Sequence, residues 1–189
     1  MGFILGTLGP GDQATVRNLQ GPIVTTLRSA AASVRSGAAD NQCQLWFGDS
    51  SQGFKAQLAG QLSRFASVIN TTPITINCEH WKRRDADTFA AAHQPTGGWN
   101  AYTNLTTAQG QGFTITLDLS FSTAPTYRPN PLVAGDTKFQ TLVHELSHLV
   151  IGTDDHAYGP VPCRGLAISN SNQGKNNADS WGYFVEDLR

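Results

Sequence analysis

The chain has 189 residues and a net charge of −1, with 39% hydrophobic residues, 14% charged residues and 19 glycines. That length buries a substantial core, and the near-neutral, apolar composition excludes disorder and any strong electrostatic attraction to nucleic acid or anionic membrane. No apolar run in the sequence approaches the length of a membrane span.

The first ten residues do not read as a signal peptide, because a basic start is missing and Gly6, Gly9 and Pro10 interrupt the apolar stretch. Secretion is still expected, either with a signal absent from this chain or through a dedicated effector-delivery machine. Residues 12–36 read as a helix with Val16, Leu19, Ile23, Leu27 and Val34 on one face, kinked or divided at Gly21-Pro22. Residues 45–49 are a short apolar run into a turn. Phe54, Leu58, Leu62, Phe65, Val68 and Ile69 predict a second helix, capped by Asp49 or Ser50. Strands are expected at 74–76, 99–102 and 113–117, the last two joined by a turn at 109–112. His80, Lys82, Arg83, Arg84 and His93 read as a basic surface loop. A proline-rich loop over 122–135 leads to a helix starting at Asp136 or Thr137, and a final helix lies near 177–187. Helices first, then a small, mainly antiparallel sheet, then two further helices predict an α+β fold. A single domain covers 1–189, with 1–11 as a candidate extension.

The penultimate of these helices carries His144-Glu145-Leu146-Ser147-His148, which fits HExxH. Histidines four apart project from one helix face and can bind one ion together, while the adjacent glutamate reaches a water rather than the metal. Phe139, Leu142, Val143, Leu146, Leu149 and Val150 form a separate apolar stripe, and Gly152 ends the helix. A catalytic zinc needs a third protein ligand and an open fourth position. Asp154, Asp155 and His156 are local candidates for that ligand, and Glu186 is a distant one. Three cysteines, Cys43, Cys78 and Cys163, include no CxxC pair, so a cysteine zinc site is not expected; one disulfide or three buried thiols both remain open.

Residues 152–159, Gly-Thr-Asp-Asp-His-Ala-Tyr-Gly, fit GTxDxxYG. HExxH followed by this segment resembles the aspzincins, the deuterolysins and peptidyl-lysine metalloendopeptidases. Asn177-Ala178-Asp179-Ser180-Trp181-Gly182-Tyr183-Phe184 resembles that family's NADxxxYF segment, and Trp46-Phe47-Gly48 its WFG segment. The resemblance covers roughly residues 40 to 187 and implies a zincin-like fold. It implies zinc on His144, His148 and Asp155, Glu145 as general base, and Tyr158 assisting the transition state. In lysine-specific members the NAD aspartate and a glutamate three residues later form an acidic pocket for the lysine after the cut bond. Asp179 matches the aspartate and so is a substrate-binding candidate, but Gly182 stands in place of the glutamate. The resemblance therefore implies a zinc metalloendopeptidase with a basic or relaxed preference. A protein or peptide substrate, a monomeric state and an inhibitor or immunity protein as partner go with that reading. Two alternatives from other classes are a toxin or binding module whose zinc is structural, closed by His156 as fourth ligand, and an amidase acting on a non-protein amide.

Overall fold

The structure, a computed structural model, describes residues 2–78, 101–104, 113–128 and 135–189. Among them are strand β1 (Phe3–Leu5) and helices α1 (Pro10–Ser36), α2 (Asp40–Phe47) and α3 (Gln52–Thr71). Strands β2 (Ile74–Cys78), β3 (Ala101–Asn104) and β4 (Phe113–Leu117) follow. The chain continues as helices α4 (Leu119–Thr123), α5 (Lys138–Ile151), α6 (Pro160–Ser169), α7 (Ser171–Lys175) and α8 (Ala178–Asp187). The expected basic loop at 80–93, the turn at 109–112, and residues 99 and 100 of the expected strand lie outside the described residues. None of the described helices is long and apolar enough to cross a membrane.

The sheet corrects the expectation of a mainly antiparallel arrangement. Its order is β1-β2-β4-β3, with β1, β2 and β4 parallel and only β3 antiparallel. The register places Phe3 and Phe113 on either side of Ile74, and Ala101 opposite Leu117. Parallel neighbours need a long crossover, and α1 to α3 supply it between β1 and β2. β3 is the edge strand on the side of α5, against which it packs.

α1 runs undivided through Pro22, because Ile23, Leu27, Ala30 and Val34 are fully buried and their packing outweighs the missing backbone donor. The expected apolar run is the last part of α2, and the turn after it is made at Gly48, φ 66°. There Trp46 stacks on Tyr183 with centroids 5.1 Å apart, and Phe47 meets Phe184 at 5.0 Å and Trp181 at 5.3 Å. Each fully buried ring of this size contributes about 1.5–3 kcal/mol. The cluster joins α2 to α8, so the two segments flanking the histidine helix in sequence share one core. α3 is capped by Ser51 rather than Asp49 or Ser50, its side chain accepting from Phe54 N at 3.4 Å. Cys43, Cys78 and Cys163 are buried and none is disulfide-bonded.

Candidate active site

α5 begins as the sequence predicts, with Thr137 Oγ1 accepting from Gln140 N at 3.0 Å. It ends at Gly152, whose φ of 72° is left-handed and lets the chain turn back across the histidine face. Its apolar stripe is buried and packs on α8. The two helices approach closely at Gly182. A Cβ there would lie 2.8 Å from Gln140 Nε2 and 2.9 Å from the Gln140 carbonyl oxygen. As the two helices now pack, any side chain at 182 would press on Gln140. Gly182→Ala is expected to cost about 1–3 kcal/mol, read from the denaturation midpoint.

His144, His148 and Asp155 converge. His144 Nε2 and His148 Nε2 are 3.1 Å apart, and Asp155 Oδ1 is 3.3 Å from the first and 3.4 Å from the second. Among the described residues they form the one His/Cys/Asp/Glu group able to hold a metal ion. Four ligands tetrahedrally placed about 2.0–2.1 Å from zinc stand roughly 3.3 Å from one another, so these three atoms are spaced as three of its ligands. Both tautomers agree. His144 Nδ1 donates to Asp179 Oδ1 at 2.7 Å, and His148 Nδ1 donates to the Thr153 carbonyl at 2.6 Å. Because a carboxylate and a carbonyl only accept, each Nδ1 holds a proton, which leaves each Nε2 as the ring atom able to turn to a metal ion. A cation placed between them would meet both Nε2 atoms and Asp155 Oδ1.

The electrostatics point the same way. Burial pushes the His144 imidazole down, but the Asp179 hydrogen bond and the charges of Glu145 and Asp155 outweigh it and bring the ring to about 9. Burial raises Asp155, yet its bond to His148, the charge of His144 and the Tyr158 hydroxyl hold it below the usual carboxylate range. The site therefore gathers positive charge.

Glu145 stands beside the triangle, its Oε1 3.8 Å from His144 Nε2. Its Oε2 is buried with no hydrogen-bond partner among the described residues. Burial raises the carboxyl to about 7 against the pull of His144 and His148. Tyr158 is 52% exposed, its ring nearly parallel to that of His144 at 6.4 Å, and its hydroxyl is bonded to Asp155.

Asp179, the substrate-binding candidate, is packed behind His144. It is 3% exposed, and beyond His144 it accepts from Gln140 Nε2 at 2.8 Å and from Gly159 N at 2.7 Å. It faces the back of a histidine rather than an open pocket. The other ligand candidates fall away. Asp154 bonds through its backbone and side chain to residues 176 and 178. His156 is exposed, with Nε2 near Asn176 Nδ2 at 3.3 Å. Glu186 is bonded to Arg128 and Thr137. Asn177 and Thr153, which grip the turn, were missed as site residues because Asn177 acts on backbone N–H groups and Thr153 through its own carbonyl, which no side-chain spacing reveals.

The family model of the aspzincins (M35), described as lysine-specific metallo-endopeptidases, matches residues 31–186. The chain belongs to the aspzincin family. The resemblance drawn from residues 144–159 and 177–184 is thus borne out. Among relatives, this aspzincin is 46% identical over 130 residues to a peptidyl-Lys metalloendopeptidase of Pleurotus ostreatus, covering 66% of this chain and 62% of that protein. It is 29% identical over 143 residues to an extracellular protease of Aeromonas hydrophila, covering 75% of this chain and 34% of that one. The chain therefore spans less than two thirds of the length of either relative. A zinc peptidase from Grifola frondosa shares its fold, with a TM-score of 0.71, 22% identity, and 95% and 97% of the two chains covered.

Proposed function

We propose that this aspzincin is a zinc-dependent endopeptidase that hydrolyses peptide bonds in protein or peptide chains. The observation carrying this reading is the triangle of His144 Nε2, His148 Nε2 and Asp155 Oδ1, spaced at 3.1–3.4 Å with both Nδ1 protons committed elsewhere. Zinc held there supplies a Lewis acid that acidifies water and polarises a carbonyl. Glu145 takes the proton of the attacking water at its unpartnered carboxylate oxygen and returns it to the leaving amine. The Tyr158 hydroxyl, at the open side of the site, leaves Asp155 and donates to the developing oxyanion. The Asp155 carboxylate balances part of the charge of the ion and fixes the third coordination direction.

The family's description and the Pleurotus relative support a basic residue after the cut bond. The committed hydrogen bonds of Asp179 and the closed packing at Gly182 support a relaxed basic preference rather than strict lysine specificity. The extracellular Aeromonas relative supports action outside the cell.

The test is digestion of a defined protein with and without chelator, with fragment ends read by mass spectrometry. The expected result is chelator-sensitive cuts, restored by zinc, enriched before Lys and Arg but not confined to Lys. One bound equivalent of zinc with no cuts would move the reading to a structural zinc or a non-protein amide substrate.

A further inference from the structure

The segment 154–158 carries both Asp155 and Tyr158, and it has no helical or sheet ladder of its own to hold it. What holds it is Asn177. This side chain is fully buried at the N-cap position of α8, where an asparagine ordinarily accepts from its own helix's backbone. Here it makes no such cap bond. Its Oδ1 instead accepts from His156 N and Ala157 N, both at 2.8 Å. Its Nδ2 donates to Ser180 Oγ at 3.1 Å and Cys163 Sγ at 3.3 Å, and Cys163 Sγ donates on to the Ala157 carbonyl at 3.4 Å. On the other side of Asp155 the backbone is pinned too. Asp154 N donates to the Asn176 carbonyl at 2.8 Å, and Ala178 N donates to the Asp154 carbonyl at 3.0 Å. Among the described residues, Asp155 thus makes no backbone hydrogen bond, between two neighbours whose backbones do.

We propose that Asn177 is the positioning residue for the third metal ligand. It sets the turn so that Asp155 Oδ1 stands against both Nε2 atoms. The inference rests on the metal-site reading above but not on peptidase activity. Asn177 has both oxygen lone pairs and both amide protons in use, so no other residue fills the same role by a small shift. An alanine removes the two accepted bonds next to Asp155 and leaves the histidines as they are, braced by Asp179 and Thr153.

The experiment measures zinc affinity by competition with a chromophoric chelator, and the visible spectrum of the cobalt-substituted protein. Asn177→Ala is expected to weaken zinc binding about 10–100-fold and to change the cobalt bands. Asn177→Asp, whose carboxylate accepts the same two N–H groups, is expected to bind within a few-fold of wild type. In an Asp155→Ala background Asn177→Ala is expected to add almost nothing. Ile23→Val, remote in α1, serves as a variant of lowered melting temperature with intact affinity. Should Asn177→Ala not fold, Asn177→Ser removes the same pair of bonds and replaces it in each comparison. Wild-type affinity in Asn177→Ala, a loss equal in both backgrounds, or a loss matched by Ile23→Val would overturn the proposal. Wild-type protein binding zinc no better than a His144→Ala, His148→Ala double variant would overturn the metal site itself.

Discussion

Glu145→Gln is expected to lower kcat by about 10²–10⁴-fold while leaving zinc affinity and melting temperature close to wild type. Glutamine matches glutamate in shape and keeps a carbonyl oxygen, so the packing around residue 145 survives. What it loses is the capacity to accept a proton. In the wild type Oε2 is buried and has no partner among the described residues, and burial brings the carboxyl to about 7. A base with that value near neutral pH suits proton transfer in both directions. The sign of the pH dependence follows. The base works only when ionised, so kcat/KM falls as pH drops through its pKa. A bound cation favours the carboxylate, so the acid limb stands at or below about 7. Steady-state rates on a defined protein, with zinc content measured on the same samples, check both points. A variant within tenfold of wild-type kcat would remove Glu145 from the proton pathway. One that loses zinc as well would make it a structural residue.

The parts of this site that are legible in the sequence are the local ones. His144, Glu145 and His148 stand on one helix, and the Thr137 cap, the apolar stripe and Gly152 can each be read within a few residues. Choosing Asp155 over its neighbours is not local. Asp154 is ruled out by a bridge to Asn177, which forms only when α8 docks. The resemblance to a family motif supplied that choice where spacing did not. The surroundings of Asp179 are not local either. The resemblance implied a substrate-binding role for it, and its hydrogen-bond partner His144 lies thirty-five positions away in sequence. The sheet was misjudged because β1 has only three residues and pairs with β2 across the whole of α1 to α3. α6, which was not among the expected helices, carries Pro160, Pro162 and Gly165, and its proline at the first helical position starts the helix rather than breaking it.

Arg128→Met is expected to cost about 3–5 kcal/mol of stability, the largest loss from any single side chain considered. Arg128 is buried between the segment that enters α5 and the end of α8. Its backbone N donates to Glu186 Oε1 at 2.9 Å, its Nη2 donates to Asp187 Oδ1 at 2.6 Å, and its guanidinium stands 5.1 Å from the Tyr183 ring centre. Thr137 Oγ1 donates to the same Glu186 Oε1 at 2.8 Å, and Trp46 Nε1 donates to Asp187 Oδ2 at 2.8 Å. Methionine preserves the bulk but strands two buried carboxylates. Burial already raises both of them, and in each case Arg128 pulls the other way. Without it their folded-state pKa values rise further above the unfolded ones. The deficit of the variant is therefore full above those values and shrinks as pH falls through them, because the protonated acids no longer need a counter-charge. Urea midpoints from pH 5 to 8, at unchanged m-value, check the size and the slope. Adding Glu186→Gln and Asp187→Asn to the variant is expected to recover much of the loss. A deficit under 1 kcal/mol, or one independent of pH, would show that solvent reaches this cluster. In that case the start of the metal helix would be held by its Thr137 cap and apolar stripe rather than by the buried charges behind it.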